Sequence, residues 1–381
     1  MTSVVSIEKM KVREPVRKAV VSTLMLGFIW LVQMFDANAA DEQKKRDDAV
    51  KRDHIKIVGS SSVYPYTKRV AEAFVKKYGS ADPVIKNDGS GGGLSEFCGG
   101  TGLQFPDIAN ASRPMKKSEW QLCERNGVKN ITEIYFGNDG LTLIKSKFGE
   151  RLNLTRLQLY KATASKVPLG GRLVANPYVS WYEIDDNLPD VPIQIFGPTS
   201  SHGSYSTFVK MIIREACKND LRYFQKKKAG FKTPEEFASY IKNHCSEIRR
   251  DGAYLAADQP ISQTLKFLST NPKAIAIVGY SELFNRRAGL QAVRINGVEP
   301  RIYTISDRSY LLSRPLYFYI KNEHRELVPD ISLFVKEFMS MNAMGSFGYL
   351  VGMGLGVRSV VEMNNARYAA TVGMRMRRYL D

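Results

Sequence analysis

The chain has 381 residues, 44% hydrophobic and 24% charged, a balance that excludes a disordered polymer and allows two ordinary domains with substantial cores. Lysine and arginine outnumber aspartate and glutamate by 55 to 38, and the net charge of +17 favours anionic partners through the summed field. The basic residues are scattered, as in Lys226-Lys227-Lys228, Arg249-Arg250, Arg286-Arg287 and Arg375, Arg377 and Arg378. No recognised nucleic-acid motif accompanies them, so they read as solvated surface and no nucleic-acid partner is expected.

Lys9, Lys11, Arg13, Arg17 and Lys18 precede a mostly apolar run, Ala19 to Phe35, and Ala37-Asn38-Ala39 fits a small-x-small cleavage site. Residues 1–39 therefore read as a secretory signal peptide. A single anchoring helix is the alternative, although the apolar run is slightly short to span. No cysteine lies near the cleavage point, so a lipid anchor is not indicated, and the mature protein is expected to be exported and soluble. Residues 40–53 are polar and highly charged and read as a flexible leader. Cys98, Cys123, Cys217 and Cys245 are an even set in an exported chain, which favours disulfides. Three connectivities are possible, and the local pairs Cys98–Cys123 and Cys217–Cys245 each close a modest loop within one half. A zinc site is the alternative, but no Cys-x-x-Cys pair is present.

His54–Gly59 reads as a short strand, followed by Ser60-Ser61-Ser62-Val63-Tyr64-Pro65 and a helix carrying Val70, Phe74, Val75 and Tyr78 at helical spacing. Pro83–Asn87 is a second strand, leading into the turn Asp88-Gly89-Ser90-Gly91-Gly92-Gly93 and a second helix. Asp107-Ile108-Ala109-Asn110-Ala111-Ser112-Arg113-Pro114 is a third strand-to-turn unit, with a helix from Lys117 to about Arg125. Three strands thus end in small polar residues that open a helix, which is α/β patterning with ligands expected at the carboxyl ends of the strands.

Ile131–Phe136 precedes Gly137-Asn138-Asp139-Gly140, and Leu141–Ile144 reads as a buried strand that begins a second region. Leu157–Tyr160 is expected to be helical, whereas Trp181 has no clear placement. Val191–Phe196 reads as a strand ended by Gly197-Pro198-Thr199-Ser200-Ser201-His202-Gly203-Ser204-Tyr205, before a helix face of Phe208, Met211, Ile212 and Ala216. Pro234 to Asn243 and Ile261 to Leu268 read as helices, Ala274–Tyr280 as a buried strand and Val293–Val298 as an edge hairpin. Leu316–Ile320 is a last strong strand, followed by an apolar helix from about Asp330 to Met341 that rejoins the first region.

Four strand ends therefore offer main-chain N–H groups and hydroxyls, and Arg113 adds a guanidinium fork. Helix capping alone accounts for any one serine. Donors converging from both regions, with few acceptors, suit a small tetrahedral oxyanion.

At this point the chain resembles the periplasmic phosphate-binding proteins that serve phosphate ABC transporters. Gly59-Ser60-Ser61-Ser62-Val63-Tyr64-Pro65, Gly89-Ser90-Gly91-Gly92-Gly93 and Asp107–Arg113 occur in that family's order and spacing, and the resemblance runs from His54 past Met341. It implies a two-lobed, type II periplasmic binding protein fold with phosphate in the inter-lobe cleft. Lobe I is then discontinuous, 54–140 and 315–381, with lobe II at 141–314. Carried over by position, Ser61, Ser62, Val63, Tyr64, Ser90, Arg113, His202, Gly203 and Ser204 would bind the anion. The best-known branch has an aspartate at the Arg113 position to accept the ligand's proton, and Asp139 is the candidate acceptor here. His202 stands where serine is usual, and a partly protonated imidazole would make affinity depend on pH near neutrality. The family implies inorganic phosphate as ligand, permease and ATPase subunits of an importer as partners, a monomer in the periplasm, and neither cofactor, metal nor catalysis. An exported phosphate-ester hydrolase, a binding protein for another oxyanion and a basic adhesion or nucleic-acid-binding protein are the competing readings. No Gly-x-Ser-x-Gly elbow supports the hydrolase.

Overall fold

In the computed structural model, residues 51–200, 202–256, 261–285, 289–377 and 379 are described. The segment expected to be a signal peptide and nearly all of the expected leader lie outside them, as do Ser201, Arg286, Arg287 and Arg378. No helix among the described residues is long and apolar enough to cross a membrane.

Three strand–helix units open the described chain. β1 (Lys56–Gly59) leads to α1 (Tyr64–Tyr78), β2 (Val84–Lys86) to α2 (Gly89–Phe97) and β3 (Ile108–Ala111) to α3 (Lys117–Arg125). β1 lies between β2 and β3 and is parallel to both. Gly89, Ser90 and the three following glycines form the first turns of α2 rather than a turn before it. Glycine weakens a helix by roughly 1 kcal/mol per residue, so another constraint must hold the run. At Gly93 that constraint is packing: an added Cβ would lie 2.3 Å from Gly59 Cα, so α2 crosses β1 backbone against backbone.

β4 (Ile131–Ser146) is one strand of 16 residues that runs straight through Gly137–Gly140. Its first part pairs antiparallel with β13 (Ser313–Lys321), whose other edge pairs with β3. Beyond β4 come the small strands β5 (Asn153–Leu154), β6 (Lys166–Leu169) and β7 (Arg172–Ala175), then β8 (Ile195–Gly197) and β9 (Tyr254–Ala256). The last part of β4 pairs with β10 (Ile275–Gly279) and β11 (Leu290–Ala292). β12 (Arg294–Ile295) pairs parallel with β5, and Asn296-Gly297 closes only a single bridge between Ile295 and Val298, where the sequence suggested an edge hairpin. β14 (Gly356–Val357) also pairs with β4. The resulting order is β2-β1-β3-β13-β4-β10-β8-β9, so β4 carries the sheet from one part of the molecule into the other.

The cores follow that division. One buried cluster is drawn from Leu141 through Leu312 and includes Trp181, which opens a short helix capped by Ser180. The other two are drawn from residues up to Phe136 and from Leu316 onward. The disulfides are the local pairs, Cys98–Cys123 and Cys217–Cys245.

Two measurements test these constraints. Gly93→Ala is expected to lose about 1–3 kcal/mol by overpacking, whereas Gly91→Ala, with no atom nearer than 4.0 Å to an added Cβ, should not destabilise. Equal urea midpoints for the two variants would contradict the packing role. Reduction of both disulfides should lower stability by about 3 kcal/mol per loop, read as the difference between denaturation curves with and without a thiol reductant.

Candidate functional site

The carboxyl ends of β1, β2 and β3 and the helix start that follows β8 open onto one cavity of about 880 Å³. Ser60 and Ser61 reach it from the start of α1; Asn87, Asp88, Gly89, Ser90 and Gly91 from the start of α2; Ser112, Arg113 and Lys116 from the segment after β3. Across from them stand His202, Gly203, Ser206, Thr207, Lys210 and Arg214, on the helix that begins as α4 (Gly203–Phe208) and continues in wider turns to Asp220.

At the first wall the backbone is fixed by Gly59, whose φ of +126° no side chain favours and whose Cβ would strike Asn110 O at 2.2 Å. Ser60 N donates to that same carbonyl. Neither N-cap residue, Val63 of α1 or Asp88 of α2, makes a side-chain cap, although Ser60 Oγ accepts from Ser62 N at 3.3 Å just ahead of α1. Unpaired N–H groups at helix starts and the positive end of the helix dipole suit an anion. At the second wall Ser90 Oγ accepts from Ser112 N at 3.0 Å and lies 3.3 Å from Ser112 Oγ, so its hydroxyl ties α2 to β3.

The two sides approach most closely at Gly203. A Cβ there would sit 2.7 Å from Ser61 Oγ and 3.6 Å from Ser62 Oγ. Only glycine allows that approach without a shift in the serine.

Of the residues expected from the sequence, Ser61, Ser90, Arg113, His202 and Gly203 line the cavity. Ser62 stands beside Gly203. Val63 and Tyr64 instead close the first turn. Both of their N–H groups donate to Ser60 O, at 3.1 and 3.0 Å, and the Val63 side chain is fully buried. Ser204 follows Gly203 but is not among the lining residues. The Arg113 fork is held by Glu119, with Nη1–Oε2 and Nη2–Oε1 at 2.8 and 2.6 Å, so much of its charge is balanced. Asp139 is buried outside the lining and accepts from Arg314 Nη2 at 2.6 Å and Nε at 3.1 Å. These two residues face each other in register on β4 and β13.

Arg314, which the sequence did not single out, reaches further. Its Nη1 donates to Thr207 Oγ1 at 2.8 Å, and Thr207 Oγ1 donates to Gly203 O at 2.9 Å. Burial first, and then the Asp139 charge, push the Tyr66 hydroxyl well above its ordinary range, so Tyr66 stays neutral beside this pair. Lys116, Lys210 and Arg214 were also missed, though Lys210 and Arg214 follow Gly203 at spacings of seven and eleven, the same helical face. Burial lowers the proton affinity of Arg214, whose Nε donates to Ser246 Oγ.

With this geometry in hand, comparison with known proteins decides the family. The family model described as PBP superfamily domain matches residues 41–342. The chain belongs to that superfamily. A protein named SphX from Synechococcus elongatus is 31% identical over 157 residues, which cover 41% of this chain and 43% of that protein, less than half of either. The phosphate-binding protein PstS of Staphylococcus saprophyticus is 26% identical, with 68% of each chain covered. A crystal structure of a possible phosphate binding protein from Planctomyces limnophilus superposes at a TM-score of 0.58 and 22% identity, over 84% of this chain and 99% of that one. The fold is therefore the two-lobed, type II periplasmic binding protein fold.

Removing one partner of a buried ion pair leaves the other charge unmatched, which typically costs about 3–5 kcal/mol. Arg314→Ala is accordingly expected to destabilise the protein by that order in urea denaturation, and Asp139→Asn/Arg314→Met to recover much of it. A single variant with wild-type stability would contradict the role given to the pair.

Proposed function

We propose that this chain is an exported solute-binding protein that captures inorganic phosphate between its lobes and delivers it to the membrane permease and ATPase of an ABC-type importer. The observation that carries this reading is the meeting of three strand ends of one side with the Gly203 helix at a single cavity, where Gly203 lies against Ser61. Donors dominate there, and Asp88 is the one carboxylate among the described lining residues. The name of the PstS relative supports phosphate as the anion. Binding and hinge closure need no catalytic chemistry.

In this reading lobe I comprises 54–140 and 315–381, lobe II comprises 141–314, and residues 1–39 direct a monomer to the periplasm. Ser61, Ser90, Arg113, His202 and Gly203 surround the phosphate, with Ser62 and Ser204 next to them and Val63 and Tyr64 shaping the first turn through Ser60. Rejection of sulfate requires an acceptor for the proton of monohydrogen phosphate. Asp88 faces the cavity directly, whereas Asp139 reaches it only through Arg314 and Thr207.

Calorimetric titration should show one phosphate per chain and no heat with sulfate; silence with phosphate would refute the reading. Asp88→Asn is expected to narrow the preference for phosphate over sulfate, and an unchanged preference would return the acceptor role to Asp139.

A further inference from the structure

The cavity is larger than one phosphate requires. At about 880 Å³ it lies in the range of pockets that enclose drug-sized ligands. The cavity is partly open to solvent, and Gly203 lies against Ser61 at its inner end. The remaining space runs outward along the helix that starts at Gly203.

That helix turns Gly203, Thr207, Lys210 and Arg214 to the cavity at spacings of four, three and four, one continuous face. Its character changes along the way, from glycine and hydroxyl at the inner end to two cations further out. From Gly203 to Arg214 the face extends roughly 15 Å. Lys116 adds a third cation from the opposite side. Among the described residues no carboxylate pairs with the Lys116 or Lys210 ammonium, although Lys116 N donates to Glu119 Oε2 at 2.8 Å, and Arg214 Nε donates to the neutral Ser246 hydroxyl. Arg113 differs, since Glu119 holds its fork. The outer cavity is thus a cationic shelf contributed by both sides, continuous with the donor-rich inner end and offset by Asp88 in the lining and by Glu119 behind Arg113.

We infer that the cleft has a second anion subsite, formed by Lys116, Lys210 and Arg214, and that it takes linear condensed phosphates as well as the single anion. A terminal phosphate would occupy the inner end and the following phosphates the shelf. This inference rests on the phosphate reading for its inner half, while its outer half rests on the cations alone. Because Lys116 and Lys210 are solvent-exposed, their attraction is screened by salt, and a longer polyanion should feel that screening more than phosphate does.

The test is titration of the purified protein with phosphate, pyrophosphate and tripolyphosphate at low and moderate salt, repeated with Lys210→Ala and Lys116→Ala. Tripolyphosphate is expected to bind, with each variant weakening it about tenfold and leaving phosphate within about twofold. Raised salt should weaken tripolyphosphate more than phosphate. Phosphate binding without tripolyphosphate binding would overturn the second subsite and leave the phosphate reading intact, as would tripolyphosphate affinity unchanged in both variants. Tripolyphosphate binding sensitive to Lys210→Ala, with no phosphate binding, would instead refute the phosphate reading and keep the subsite. Silence with all three ligands would refute both.

Discussion

The buried pair of Asp139 and Arg314 ties the molecule together where its two halves meet. Two charges withdrawn from water are costly unless their geometry and remaining hydrogen bonds are good. Here they face each other across β4 and β13, Arg314 spends a further donor on Thr207, and Tyr66 stays neutral alongside. Thr207 lies on the face of the Gly203 helix that lines the cavity. The pair therefore does more than neutralise itself: it fixes the far wall of the cleft relative to the sheet from which the near wall grows.

The near wall rests on a second constraint, the backbone contact between Gly93 and Gly59. It sets α2 close against β1 and so places the starts of α1 and α2 side by side. Glycines that weaken α2 as a helix thus allow the crossing that aims its unpaired N–H groups at the cavity. Ser90 then ties α2 to β3 through Ser112. Anion binding and helix packing impose the same residue type for different reasons at neighbouring positions.

Much of this was legible in the sequence, because strand, small polar residues and helix recur with clear changes of period. The opening three units and β10 lie where those changes place them, and the resemblance carried by the serine and glycine motifs led to the fold. What escaped depends on partners distant in sequence. Gly137–Gly140 interrupts the hydrophobic pattern, yet pairing with β13 and β14 keeps β4 extended through it. Arg113 looked like an available cation, and Glu119, one helix start later, takes its fork. Val63 and Tyr64 looked like anion donors, and Ser60 O claims their N–H groups. Lys210 and Arg214 were visible as a helical stripe, but nothing local told which face of that helix meets the cleft.

In the proposed function one tetrahedral anion sits at the inner end of the cleft, between the starts of α1 and α2 and the Gly203 turn. A crystal grown with arsenate, located by its anomalous scattering, tests that placement most directly. The expected result is an arsenic peak within hydrogen-bonding reach of Ser61, Ser90 and Gly203. A peak confined to the separate arginine-lined pocket at Arg151, Arg294 and Arg301, or no peak in the cleft at all, would contradict it.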